Sequence, residues 1–149
     1  MRLTIDFVDS IPFQHSWLPW EDDHFRISYK LENISDDTLT LLPALPCNDC
    51  NPKLNILDAS TGEWPAIDWQ MDVFYLVDED SFIDLPPGGV HRGAIDWCEY
   101  LGFDLEKGEE YLVWLEYCGE KTWTFGDSTR TTRIWNGLAV SDTLRFTYR

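Results

Sequence analysis

The sequence predicts an all-β chain, a single antiparallel β-sandwich of immunoglobulin-like type with about seven to nine strands across residues 1–149. Three observations predict it. The dominant apolar period is two, as in "FRISYKLEN", where Phe25, Ile27, Tyr29 and Leu31 alternate with Arg26, Ser28, Lys30 and Glu32. Turn signals punctuate the chain at short intervals, the strongest being "PPGG" from Pro86 to Gly89. No stretch carries a sustained helical apolar period. With 149 residues, 44% of them hydrophobic, the chain is long enough for one domain with a core, and no repeat, linker or low-complexity segment divides it.

The elements follow in order. "RLTIDFV" puts Leu3, Ile5 and Phe7 on one face of a half-buried strand. "FRISYKLEN" is the second strand, and "NISDDT", rich in Asx and Ser turn formers, leads into "TLTLL". "LNILD" is a fourth strand closed by the "ASTGE" turn. "DVFYLV" and "SFIDL" are further strands separated by "DED", and "VHRGAIDW" follows the Pro-Gly turn. "WCEYLGFDLEKGE" reads as one helical turn and a loop. "EYLVWLEYC" is the most apolar run and predicts a central strand, with Trp114 in the core. "TTRIW" and "LAVSDTLRFTYR" complete the chain, Leu144, Phe146 and Tyr148 alternating.

Charge narrows the partners. The 27 acids outnumber the 11 bases, for a formal net charge of -16. Such a field repels nucleic acid and favours encounter with a basic protein surface, although it also serves solubility alone. From Glu32 to Asp84 the only base is Lys53, whereas Arg130, Arg133, Arg145 and Arg149 cluster late, so one acidic region and a weakly basic edge are expected. The N-terminal "MRLTIDFVDSIPFQHSW" lacks the continuous apolar core of a secretory signal, and no run approaches the roughly 18 apolar residues that span a bilayer. A cytoplasmic location without a membrane partner is expected.

The four cysteines are Cys47, Cys50, Cys98 and Cys118. "LPCNDCNP" supplies one close pair, but a four-cysteine zinc site normally shows two such knuckles. Zinc held by Cys47, Cys50, Cys98 and Cys118 is therefore the lesser reading, beside a Cys98–Cys118 disulfide and reduced thiols packed as small hydrophobes. A redox pair needs a helix start after a strand, which nothing around "CNDC" offers. His15, His24 and His91 are scattered, no HExxH, G-x-S-x-G or GxxxxGK[ST] motif is present, and His15 and His24 read as solvated loop residues. The acidic runs Glu21-Asp22-Asp23 and Asp78-Glu79-Asp80 could gather calcium from loops, yet EF-hand spacing is absent and solvated loop acids explain them. No catalytic residue and no cofactor are expected, with zinc or calcium the minor alternative.

Eight Trp is a heavy load for this length. Trp17, Trp20, Trp64 and Trp69 lie in or beside loops, where Trp serves as a hot-spot anchor for a protein partner or as a stacking surface for sugars. Trp97, Trp123 and Trp135 are undecided.

The order of motifs carries a resemblance. "YKLENISDDTLTL", "LNILDASTGE", "FIDLPPGG", "KGEEYLVWLEY" and "WNGLAVSDTLRF" succeed one another over roughly residues 25 to 149. Together they resemble the immunoglobulin-like sandwich that precedes deuterolysin-type metalloproteases, and they are similar to the bacterial intracellular proteinase-inhibitor sandwich. The resemblance implies a domain without an active site of its own that acts as a pro-segment, inhibitor or interaction module. The expected function is thus non-catalytic: an acidic protein-binding module that inhibits or neutralises a basic partner such as a protease or toxin. The expected partner-binding residues are Trp17, Trp20, Asp22, Trp64, Asp68, Trp69, Asp78 and Asp80. A carbohydrate-binding module built on the same Trp residues is one alternative, and a metal-binding protein or enzyme with a cysteine-based zinc site is another.

Overall fold

A computed structural model describes residues 1–12, 23–42, 52–70, 81–96, 101–119, 122–124, 131–133 and 135–148. Every strand pairing among them is antiparallel, and no α-helix occurs among the described residues. The chain is therefore all-β. Among the described residues thirteen strands are found where about seven to nine were expected, because several are short and interrupted.

The first sheet joins β1 (Arg2–Pro12), β2 (Asp23–Glu32) and β7 (Val90–Asp96) in the order β1-β2-β7. Alternation along β2 acts as the sequence predicts, burying Ile27, Tyr29 and Leu31 while Arg26 is exposed. β1 departs from simple alternation. Its register against β2 slips between Ile5 and Phe7, so Asp6 is an extra residue and Val8, not Phe7, falls opposite Ile27. Val8 accordingly packs on the core in line with Leu3 and Ile5. Gly93 on β7 stands opposite Tyr29, and a Cβ there would collide with the Tyr29 ring. Glycine lets the phenol lie across the neighbouring strand.

The second sheet is built around β9 (Glu110–Gly119), which is central as predicted. β4 (Lys53–Asp58) pairs with one edge. Along the other edge run β12 (Gly137–Val140) and β13 (Leu144–Thr147), end to end. Ser141 covers the break between them. Its backbone N–H donates to Leu115 O at 2.9 Å, and its Oγ accepts from Leu115 N–H at 2.9 Å, so the β9 backbone stays paired where the ladder lapses.

Three smaller pairings complete the described chain: β3 (Leu39–Leu41) with β6 (Ile83–Leu85), β5 (Ile67–Gln70) with β8 (Leu101–Phe103), and β10 (Thr122–Thr124) with β11 (Thr131–Arg133). β8 replaces part of the helical turn expected in "WCEYLGFDLEKGE": pairing with β5 satisfies its backbone in place of a local turn. The predicted strand "DVFYLV" lies outside the described residues.

One buried cluster draws on both larger sheets. Leu3, Ile27, Tyr29 and Leu31 come from the first; Leu54, Ile56, Tyr111, Val113, Leu115, Tyr117 and Ala139 come from the second. Burial pushes the Tyr29 phenol up to about 12 and raises the Tyr117 phenol further above its usual range. The Tyr117 hydroxyl both donates to Leu42 O and accepts from Leu42 N–H, each at 3.2 Å, and its ring lies 5.8 Å from that of Trp135.

Buried Asn33 joins the turn after β2 to β6. Its Nδ2 donates to Leu85 O at 2.8 Å and Asp37 O at 2.7 Å, while its Oδ1 accepts from Ser35 N–H and Ser35 Oγ. Its backbone bonds to Gly88 and Gly89 in the predicted "PPGG" turn, where Gly88 takes the left-handed φ of 72° that the turn requires.

Candidate interaction face

The alternation of β9 gives the second sheet two faces. Tyr111, Val113, Leu115 and Tyr117 point into the core, so Leu112, Trp114, Glu116 and Cys118 point outward. Register extends this outer face sideways. Asn55 lies opposite Trp114 and Leu57 opposite Leu112 on β4; Leu138 lies opposite Cys118 and Val140 opposite Glu116 on β12. Leu138 is 63% exposed and Val140 51%. Trp114 is thus a half-buried outer residue, correcting the expectation that it belongs to the core. β9 is apolar on both faces, and period two alone does not distinguish inside from outside.

Trp64 reaches this face from the turn after β4. Asp58 Oδ1 accepts from Ser60 N–H at 2.7 Å, Ser60 Oγ at 2.6 Å and Thr61 N–H at 2.9 Å. These bonds, led by the Ser60 hydroxyl, hold the Asp58 carboxyl below its usual range. Asp58 N–H donates to Glu63 O, Gly62 N–H donates to Asp58 O, and Ala59 N–H donates to Glu110 O at the start of β9. The "ASTGE" turn is thereby closed on itself and pinned to the sheet, and Trp64 emerges beside it. The Trp64 ring centre lies 6.3 Å from that of Trp114 at an interplanar angle of 59°, and Trp64 remains 53% exposed. Trp114 Nε1–H donates to Glu116 Oε1 at 3.1 Å, leaving its ring to the apolar contact. An edge-tilted aromatic pair of this kind is no flat platform for a sugar ring.

Polar residues share the face: exposed Lys53 stands opposite Glu116, and two further features join them. Arg145, on β13, pairs with Glu110 at 3.1 Å with both side chains exposed, an ion pair worth at most about 1 kcal/mol. Asn55 is only 4% exposed, and its Nδ2 has no hydrogen-bond partner among the described residues.

Of the residues expected to bind a partner, Trp64 alone has a described side chain. Asp68 and Trp69 belong to β5. Trp17, Trp20, Asp22, Asp78 and Asp80 lie outside the described residues, as do Cys47, Cys50 and Cys98. Cys118 is exposed on the outer face of β9. Among the described residues no group of three or more His, Cys, Asp or Glu is gathered as a metal ion would need, and no helix is long and apolar enough to cross a membrane. Leu138, Val140, Trp114 and Asn55 are what sequence reasoning missed. The alternation of Leu138 and Val140 about Ala139 was the available signal. The chain matches no protein-family model, and no curated protein is detectably similar to it.

Proposed function

We propose that the protein is a non-catalytic, acidic protein-binding module that inhibits or neutralises a basic partner. The observation that carries this reading is Trp64, half-exposed and packed on Trp114, on the same sheet face as two solvent-facing aliphatics, in a chain of net charge -16. Exposed aromatics ringed by apolar groups are what interfaces use as anchors, and a strong field of one sign steers a partner of the other. Two sheets sharing one core support the immunoglobulin-like sandwich as the architecture, and with it the kinship to intracellular proteinase inhibitors and to the sandwich preceding deuterolysin-type proteases. Cytoplasmic residence and action without zinc or calcium belong to the same proposal.

The test is a reconstituted complex. A partner co-purified from cells and then purified alone should be basic, and its association rate should fall at least about tenfold between low and high salt. An association rate indifferent to ionic strength would count against steering. Retention of glycans without any protein partner would count against the reading itself.

A further inference from the structure

Resting on that reading, we propose that the outer face of the sheet formed by β4, β9, β12 and β13 is the docking surface, and that its occupant is a basic protein presenting an apolar ridge. The face places Trp64, Trp114, Leu138 and Val140 on one side of one sheet, with Val140 diagonal to Trp114 across the ladder and Leu57 and Leu112 continuing the apolar set on the far side of Trp114. Scattered surface apolar residues need no explanation, but a contiguous set aligned by register does. Asn55 adds an independent sign. Its amide hydrogen is buried with no partner among the described residues, as is Thr4 Oγ1 on the first sheet, and such groups are commonly kept for something other than stability.

Charge chooses the occupant. A second copy of this chain would press two bodies of net charge -16 together. The acids Glu63, Glu116 and Asp142 border the apolar set, against two cations, Arg145, matched by Glu110, and Lys53, which stands opposite Glu116. A cationic partner gains from the same border that repels a copy, and the lysine or arginine stems around an apolar ridge would lie along the edges of the face.

Three synthetic peptides of equal length test this by calorimetry: one alternating Lys and Leu, one alternating Lys and Ser, and one alternating Glu and Leu. The Lys–Leu peptide should bind the full chain at least about tenfold more tightly than either other peptide. The double substitution Leu138→Ser with Val140→Thr changes no charge and touches only exposed side chains, so the fold should survive. It should weaken Lys–Leu binding about tenfold or more. Val90→Ser, at an exposed valine of the other sheet, should leave binding unchanged. Equal affinity for Lys–Leu and Lys–Ser, or full affinity in the double variant, overturns the docking surface while leaving the protein-binding reading intact. Failure of every basic peptide to bind the wild-type chain overturns that reading too. A wild-type dimer in sedimentation that the double variant abolishes would make the occupant a second copy and overturn the choice of a basic partner.

Discussion

The two larger sheets bury their inner faces in one core, yet their outer faces differ. On the first sheet the outward register carries mainly polar residues, Arg2, Thr4, Ser28, Lys30, Glu32 and Arg92, beside Ala94 and the exposed Val90, with ion pairs Arg2–Glu32 at 3.1 Å and Arg92–Asp6 at 2.6 Å. On the second it carries Leu57, Leu112, Trp114, Leu138 and Val140. The two buried asparagines also differ, although Thr4 Oγ1 on the first sheet is, like Asn55 Nδ2, buried without a partner among the described residues. Asn33, at the end of the first sheet, uses both its amide hydrogens and its oxygen, whereas Asn55, in the second, leaves Nδ2 unpartnered among the described residues. An antiparallel sheet can face water on one side, and the first does so with residues suited to water. The second retains groups suited to an interface. One fold thus holds a largely polar outer face and a largely apolar one.

The sharpest way to break this contrast is to truncate the same residue type on either side of the second sheet. Leu115→Ala, which empties space in the core, should cost about 2–5 kcal/mol in urea unfolding, and Leu138→Ala less than about 0.5 kcal/mol. Comparable losses would mean that Leu138 is a core residue. Next, Asn33→Ala should cost about 2–3 kcal/mol, because it strands Leu85 O in a buried place and releases the Ser35 turn. Asn55→Val should move the other way and raise stability by about 1 kcal/mol, since it removes a buried donor with nothing to satisfy. A loss on that substitution would show the amide to be satisfied after all, and the two asparagines would no longer differ.

The smallest expected effect is a pH dependence on the inner side of the first sheet. His91 is half-buried beside Tyr29, ring centres 6.4 Å apart, and burial holds its imidazole below the usual range. The unfolded chain therefore takes up this proton first. Stability from neutral His91 is present above its ordinary pKa of about 6.5 and is lost as pH falls through that value toward the folded one. Asp58, with its carboxyl also held low, contributes stability that is present above the unfolded carboxylate range and lost at still more acid pH. His91→Gln should flatten the urea midpoint against pH between about 7 and 5 and leave the more acid fall in place. An unchanged slope there would assign the effect to other groups.

Much of the fold was legible because antiparallel strands with one wet face advertise themselves. β2 shows this best: four apolar residues alternate with four polar ones, and its side chains divide accordingly where they are described. β9 was legible as central from its apolar density, but its inner and outer faces were not separable, since Leu112 and Trp114 are as apolar as Val113 and Leu115. The same ambiguity hid Leu138 and Val140. The slip at Asp6 was invisible because a bulge is a property of the pair of strands, and one strand's pattern does not reveal it. The break at Ser141 likewise depends on a side chain standing in for a backbone bond across the ladder. Trp64 was legible as an exposed residue from its turn, whereas its neighbour Trp114 comes from a strand that only register brings beside it.

Hydroxyl-radical footprinting of the free chain and of its complex with a basic partner tests the central claim most directly. Trp64, Leu138 and Val140 should oxidise readily in the free protein and become several-fold protected in the complex, with Val90 and Ile34 unchanged. Protection confined to the β1-β2-β7 sheet, or no protection at Leu138 and Val140 in a saturated complex, would contradict it.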